Sequence, residues 1–570
     1  MEPLKKRWQI AGTITPEVNL ALQEYPPILR QILYNREYTT QALASQYLEA
    51  KQPPGTDPFE MGGMQAAVDR IQYAIQHKEP LAVYGDYDAD GVTATALLME
   101  VLQKLGAEVQ GYIPNRFDEG YGLNSEALDN LREAGVRLVI TVDCGIRSPI
   151  EAQHAREIGM DLIISDHHHP DKDLPKALAV INPKQHGDPY PEKELAGVGL
   201  AYKLAAGLVS AAGAGNGGLI PNAEDYLDLV ALGTVADLAP LKGENRSLVR
   251  RGLERIRRPR RQGLMALIGV SGLHSERITA TDIGFALGPR LNAAGRLESA
   301  LNALTLLTTS NVHEAAKLAQ QLEIQNRERQ QITRDIQSQA ELIALADNPD
   351  ALLLFAAHPD FNPGVVGLAA SRLTDVYYRP SIVAQYGEEF TRGSCRSIAE
   401  FHITQALDQC ADLLEHHGGH AAAAGFTVRN EKLPELIERL QGIAAEQLSG
   451  LDLRPTLKAD LELPLSDLRP EILEYLDWLQ PTGYGNHQAY FISRDLKVVK
   501  SQTVGKDNSH LKLTVTDGWI TYNAIAFRQG FWQEQMPAKI DILYTFELNE
   551  YNNRKYLQLN VRDIKNAGED

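Results

Sequence analysis

A chain of 570 residues is longer than one hydrophobic core can organise, so several domains are expected. With 44% apolar and 23% charged residues its composition is that of an ordinary soluble protein, and no apolar run is long enough to span a bilayer. Three scattered cysteines, Cys144, Cys395 and Cys410, exclude a disulfide framework and a CxxC zinc site, and they fit a reducing cytoplasm. The first residues are basic but no apolar stretch follows them, so no secretory leader is expected.

In chain order, residues 1–78 read as a helical leader of the catalytic core, with helix signals at 28–33 and 64–76. Three apolar runs then each end in acid. LAVY (81–84) enters GDYDADG with Asp86, Asp88 and Asp90. LVITV (138–142) enters Asp143, and DLIIS (161–165) enters Asp166, His167, His168 and His169. Helical stretches at 92–105 and 149–158 separate these runs. The resulting β-α-β-α-β pattern predicts a parallel sheet. An Ala/Gly-rich loop is expected at 210–218, and a helix over 225–241 brings Asp237.

The run RRGLERIRRPRR (250–261) holds seven arginines against one glutamate, despite a net charge of −18. It reads either as a solvated helical face or as a ridge that contacts phosphates. Residues 312–346 are almost free of Gly and Pro and predict one connecting helix about 50 Å long. A second α/β unit begins at 351 and ends in GGHAAAAGFTV (418–428), a run that reads as tight helix packing or as backbone approaching a ligand. Beyond 455, short alternating strands predict a small all-β barrel of the oligonucleotide-binding kind. The expected division is 1–78, 79–310, 311–347, 348–450 and 451–570. The fold class is α/β: two parallel-sheet-containing domains joined by a long helix, plus the C-terminal barrel.

Ligands of parallel sheets bind at the carboxyl ends of the strands, and three of these strands bring carboxylates and imidazoles there. Asp88 and Asp90, two apart at an extended strand end, would point the same way, with Gly91 turning the chain into the helix. Crowded carboxylates need cations between them. A mixed Asp/His set favours Mn²⁺ or another transition metal over Mg²⁺ while leaving both open, and two such ions can generate a hydroxide and stabilise a phosphoryl displacement. Each piece alone has a plainer reading: a calcium loop, a helix N-cap at Asp143, surface histidines. The calcium loop fails because its twelfth position, counted from Asp86, is Leu97.

These residues resemble the DHH phosphoesterase superfamily, through VYGDYDADG, TVDCG, SDHHHP and GTVADLAPL. The likeness extends through LGPRLNAAGRLE, GVVGLAASRL, GSCRS, GGHAAAAG, QPTGYGN and VGKDNSHLKL to the RecJ family of single-strand-specific 5′→3′ exonucleases. The resemblance implies metal ligands at Asp86, Asp88, Asp90, Asp143, His167 and Asp237, and places His168 near the scissile phosphate. It implies DNA contacts at Arg116, Ser394, Arg396 and His420, while Arg290, Asn292 and Arg296 suit either the DNA backbone or a purely structural ion-pair role. Tyr484, Tyr490 and Phe491 are candidates to stack bases or to fill the core. The implied substrate is single-stranded DNA and the implied setting cytoplasmic repair and recombination, with a helicase and single-strand-binding protein as partners and no membrane. Rival readings are a phosphodiesterase for short oligoribonucleotides or cyclic dinucleotides, and a non-catalytic DNA-binding scaffold. The pattern departs from the family at Tyr84, Phe361 and Asn362.

Overall fold

The computed structural model describes residues 4–115, 119, 122–213, 221–346, 348–551 and 554–569. It divides into a larger unit, Gly12–Asn326 with Asp460–Ala567, and a smaller one, Met1–Ala11 with Arg327–Ala459 and Gly568–Asp570. In chain order the strands are β1 (Arg7–Ile10), β2 (Leu81–Gly85), β3 (Val109–Tyr112), β4 (Leu138–Val142), β5 (Asp161–Ser165), β6 (Ala179–Ile181), β7 (Leu354–His358), β8 (Ser381–Tyr386) and β9 (Phe390–Arg396). They continue as β10 (Leu414–His420), β11 (Ala423–Arg429), β12 (Thr456–Ala459), β13 (Leu461–Glu462), β14 (Phe491–Val504), β15 (His510–Thr516), β16 (Thr521–Ala526), β17 (Lys539–Tyr551) and β18 (Arg554–Asn566).

In the larger unit a parallel sheet runs in the order β3-β2-β4-β5-β6. Every residue of β2 and β4 is buried, as a sheet covered on both faces requires. Leu81, Val83, Leu138 and Ile140 face one core with the helices Met64–His77, Ala89–Lys104, Gly197–Gly213 and Leu227–Ala236. Ala82, Tyr84 and Val139 face another with Ser125–Glu133 and Pro149–Glu157. The chain leaves β2 for β3 on one side and returns to β4 on the other. The resulting switch point opens a crevice at the carboxyl ends.

The C-terminal strands β14, β15, β16, β18 and β17 close into a barrel through the pairing of β14 with β17, and β13 adds to β14. The leader helices Pro27–Asn35 and Gln41–Leu48 bury Leu29, Ile32, Leu33 and Leu48 in the barrel's core; only Met64–His77 joins the core of the parallel sheet. Arg246 locks this joint. It is 1% exposed, lies over the Tyr47 ring, and donates to the carbonyls of Tyr47, Trp478, Leu479 and Pro481. Burial lowers its pKa to about 10, so it stays charged at neutral pH. The QPTGYGN turn completes the seam: Leu241 N–H donates to Tyr484 O, Asn486 accepts from the Tyr47 hydroxyl, and a side chain at Gly485 (φ 71°) would strike Pro240.

The smaller unit holds a mixed sheet, β10-β11-β9-β8-β7, in which β7 and β8 are parallel and the rest antiparallel. GGHAAAAG forms the tip of the β10–β11 hairpin rather than a helix. The first residues are not helical either, because β1 pairs in parallel with β12. The connecting helix spans Val312–Ala346. It is less solvated than its charges suggest: Ala315, Leu318, Ala319 and Leu322 enter the core of the larger unit, and Ile336 and Ala340 that of the smaller. The expected loop at 210–218 begins as the last turn of Gly197–Gly213, and its remaining residues lie outside the described ones. Likewise the helix expected to run to 241 ends at Ala236.

Candidate metal centre

Parallel register pairs Gly85 with Val142 and Val142 with Ser165, so the residues following β2, β4 and β5 stand side by side at one edge. Asp86 and Asp143 are 3% and 2% exposed there. Asp88 and Asp90 converge for a reason other than strand alternation. Asp88 is the N-cap of Ala89–Lys104, its carboxylate accepting from the amides of Asp90 (2.8 Å) and Gly91 (3.1 Å), which have no partner inside the helix. Gly91 lies within the first turn and does not form the bend. A side chain there would meet the Asp86 backbone at 2.5–2.7 Å.

Asp90 is fully buried and held at both oxygens by amides opening the helix Gly197–Gly213: Gly197 N–H to Oδ2 at 2.7 Å and Val198 N–H to Oδ1 at 2.8 Å. Gly197 is required because a side chain would meet Asp143 at 2.7–2.9 Å. Gly233 lets the helix Leu227–Ala236 close over the same carboxylate, its missing side chain 2.3 Å from Thr93 Oγ1 and 2.8 Å from Asp90 Oδ1. Asp143 adopts φ 65°, a left-handed conformation that aspartate tolerates.

His167 Nε2 lies 3.1 Å from Asp143 Oδ1, 3.7 Å from Asp237 Oδ2 and 4.0 Å from Asp90 Oδ2. The donors form overlapping sets: Asp86, Asp88 and Asp143; Asp90, His167 and Asp237; Asp143, His167 and His168. Within each set the ligand atoms lie within 4.8 Å of one another. Burial, then repulsion from neighbouring carboxylates, raises Asp90 to about 7 and Asp237 to about 9, and holds Asp143 well above the usual range. Burial, then the neighbouring His168, lowers His167 to about 3, which keeps its ring neutral and able to ligate. Asp143 Oδ1 and His167 Nε2 are buried and make no hydrogen bond, so the donor set fits a pair of divalent cations.

Asp166 turns away from this cluster. One oxygen accepts from the Ile146 amide at 2.9 Å; the other accepts from His168 Nδ1 at 2.7 Å and from its amide at 3.1 Å. Burial opposes both charges, but the Asp–His contact outweighs it, lowering Asp166 and raising His168. Asp237 caps the C-terminus of Leu227–Ala236. Leu238 N–H bonds Val235 O and Ala239 N–H bonds Thr234 O, a Schellman end with Leu238 at φ 62°. Glycine is usual there, and leucine in this conformation costs about 1–2 kcal/mol.

The other expected residues are distributed more widely. Asn292 and Arg290 each hold a protein partner: Asn292 Oδ1 caps the Ala89 amide at 2.6 Å, and Arg290 pairs with Glu323 at 2.7 Å. Arg296 is half-buried in the last turn of Gly288–Leu297. In the smaller unit, Ser394 and Arg396 lie on β9 with Arg396 Nη1 3.2 Å from Ser394 Oγ; Gly367 opens space beside both, and His420 is exposed at the hairpin tip. Arg116 lies outside the described residues. Phe491 is fully buried beside Tyr544 and cannot stack a base, Tyr490 is half-buried, and Tyr484 is 58% exposed.

Five residues of the arginine run hold protein partners, while Arg258 and Arg260 are exposed. Arg250, Arg251, Arg255, Arg257 and Arg261 bind Leu48 O, Glu224, Asp225, Ile278 O and the Glu100–Asp228 pair respectively. Sequence reasoning passed over Asp166 as an anchor, the clamping amides of Gly197 and Val198, and Gly233. The GVG that opens a helix was the available signal for the clamp.

Three family models match the chain: the DHH family N-terminal domain over residues 80–234, the DHHA1 domain over 350–446, and the RecJ OB domain over 459–563. These define its class as a DHH-type protein carrying an oligonucleotide-binding barrel. It is 40% identical over 565 residues to the single-stranded-DNA-specific exonuclease RecJ of Bacillus subtilis, covering 98% of this chain and 71% of that protein. To the Escherichia coli enzyme of the same name it is 34% identical over 563 residues, 95% and 96% of the two chains. The crystal structure of RecJ in complex with Mn²⁺ from Thermus thermophilus superposes with a TM-score of 0.85 at 30% identity, covering 99% of this chain and 80% of that one. The chain belongs to the RecJ family. Among the described residues no helix is long and apolar enough to cross a membrane.

Proposed function

We propose that this protein is a metal-dependent exonuclease that degrades single-stranded DNA from the 5′ end to 5′-mononucleotides, in cytoplasmic DNA repair and recombination. The observation that carries the reading is the convergence of Asp86, Asp88, Asp90, Asp143, His167 and Asp237 on one buried edge. These residues would hold two Mn²⁺ or Mg²⁺ ions, as the T. thermophilus relative is seen with each metal. The chemistry supplied by such ions would be a water of lowered pKa and an offset to charge developing on the phosphodiester.

The protein's own groups prepare that chemistry. The Gly197 and Val198 amides fix Asp90, and the neutral ring of His167 leaves a lone pair for ligation. Asp166 holds His168 by Nδ1 and favours its charged form, in which Nε2 can donate to a phosphate oxygen. Ser394, Arg396 and His420 form the nucleotide-binding face of the smaller unit. The proposed division is a catalytic domain at 79–310, a linker at 311–347, a substrate-binding domain at 348–450 and the barrel at 451–570, a reading supported by family models at 80–234, 350–446 and 459–563. A helicase and single-strand-binding protein are the partners this activity calls for.

The test is degradation of a 3′-labelled single-stranded oligomer with Mn²⁺, beside the Asp143→Ala variant. The expected result is a product ladder shortening from the 5′ end that is abolished by EDTA and reduced at least about a thousandfold in the variant, of the order lost when a group central to a reaction is removed. Intact DNA with turnover of short RNA would overturn the reading.

A further inference from the structure

We propose that Lys184 is a further substrate-binding residue of the metal centre, its ammonium holding a non-bridging oxygen of the phosphodiester being cut. This rests on the exonuclease reading above. The first observation is topological. β6 runs parallel to β5 with Ile181 opposite Ser165, and the Asp166 amide donates to Ile181 O at 3.1 Å. The residues that follow β6 therefore stand beside Asp166, His167 and His168, a fourth strand end delivered to the edge where ligands of parallel sheets bind. Asn182, fully buried, joins the two: its Nδ2 donates to His168 O and its Oδ1 accepts from the Lys184 amide, each at 2.8 Å. From the other side, Lys184 Nζ lies 3.2 Å from Glu194, which stands shortly before Gly197, whose amide holds Asp90. The lysine is thus bracketed by the two backbone segments that position His168 and Asp90.

The second observation is electrostatic. The Lys184 side chain is 12% exposed, while that of Glu194, its ion-pair partner, is 58% exposed. A pair with one member so open to water contributes little, so it does not account for withdrawing an ammonium from solvent. What the lysine faces is the cluster. Burial and repulsion from Asp90 and Asp88 raise Asp237, and Lys184 is a cation that opposes them. Burial and His168 lower His167, and Lys184 adds to that lowering. A fixed positive charge repels metal ions, so it is not there to hold them. Five carboxylates against the four charges of two divalent ions leave the filled centre one negative charge, and a phosphodiester brings another. A compact ammonium with several donors offsets that charge and suits a phosphate oxygen.

The experiment uses the full chain and single-stranded DNA. With Mn²⁺ and a 3′-labelled oligomer, Lys184→Met should lower kcat/KM by roughly 10- to 150-fold, the loss that one charge-assisted hydrogen bond represents. Lys184→Arg should recover most of it. Glu194→Gln, which breaks the ion pair and leaves the lysine, should stay within about twofold of wild type. Two readouts need no turnover. In Asp143→Ala protein, binding of a 3′-fluorescein oligomer is titrated with NaCl. Adding Lys184→Met should make the log–log slope shallower by about 0.7, as one lost phosphate contact on a single strand requires. Direct Mn²⁺ titration of Lys184→Met should be as tight as wild type or tighter, since a repelling charge is gone. An unchanged salt slope, weaker Mn²⁺ binding, or a Glu194→Gln defect as large as that of Lys184→Met would overturn the assignment and make the lysine a structural tether, with the exonuclease intact. A wild type that leaves single-stranded DNA uncut overturns the exonuclease reading, and the lysine's role with it.

Discussion

The aspartates of the metal centre are arranged for a charge the protein itself does not supply. Asp90 and Asp237, raised to about 7 and 9, hold protons in the folded chain that they release when unfolded, so their contribution favours folding at low pH and is lost as pH rises through those values. In EDTA-treated protein the cluster should therefore destabilise the fold progressively between about pH 4 and 9. Excess Mn²⁺ should raise the melting midpoint more at about pH 8.5 than at about pH 5.5. Equal increments at the two values would mean that the cation binds elsewhere. The strained cap gives a second expectation. Leu238→Gly should stabilise the metal-free protein by about 1 kcal/mol in urea melts, since it removes a left-handed leucine; a loss of stability would mean the leucine is held by packing. At this scale the acidic cluster was legible because strand ends announce themselves as apolar runs stopping at acid. The clamp on Asp90 was not, because its amides lie 107 and 108 residues further along the chain.

Elements carry the same precision through close approach. Gly233 is the point where one helix lies against the Asp90 carboxylate, and Gly233→Ala would set a methyl 2.3 Å from Thr93 Oγ1. Overpacking of this kind should cost about 1–3 kcal/mol in urea melts and weaken Mn²⁺ binding in a direct titration. An unchanged titration would show that the helix yields without disturbing the ligand. Strands β2, β4 and β5 and the helix Val312–Ala346 were readable from period and composition, because burial on both faces and an uninterrupted run of helix formers are local signals. Two elements were not. The alanines of GGHAAAAG favour helix by propensity, yet pairing with β9 and β10 makes them a hairpin. β1 has no local signature, because what makes it a strand is β12, some 450 residues away.

For the molecule as a whole, the leader helices and the barrel share one core, and Arg246 ties both to the helix Gly243–Ile256 through four carbonyls. Arg246→Ala strands those acceptors in a buried seam and should destabilise the larger unit by about 3 kcal/mol or more. The check is a denaturant melt followed by tryptophan fluorescence. A loss under about 1 kcal/mol would mean that water replaces the guanidinium. No sequence pattern marks this arginine, since it precedes a run of seven others and only the fold separates a keystone from its neighbours.

The pairing of β1 with β12 also has a meaning in time. The chain passes between its two units after Ala11, Asn326, Ala459 and Ala567. At translation speeds of roughly 5–20 residues per second, β1 waits on the order of 20–90 s for its partner strand to be made. The barrel closes later still, when β18 leaves the ribosome. Each unit is therefore completed late: the edge of β1 stays open until Thr456–Ala459 has been made, and the edge of β14 until β17 has.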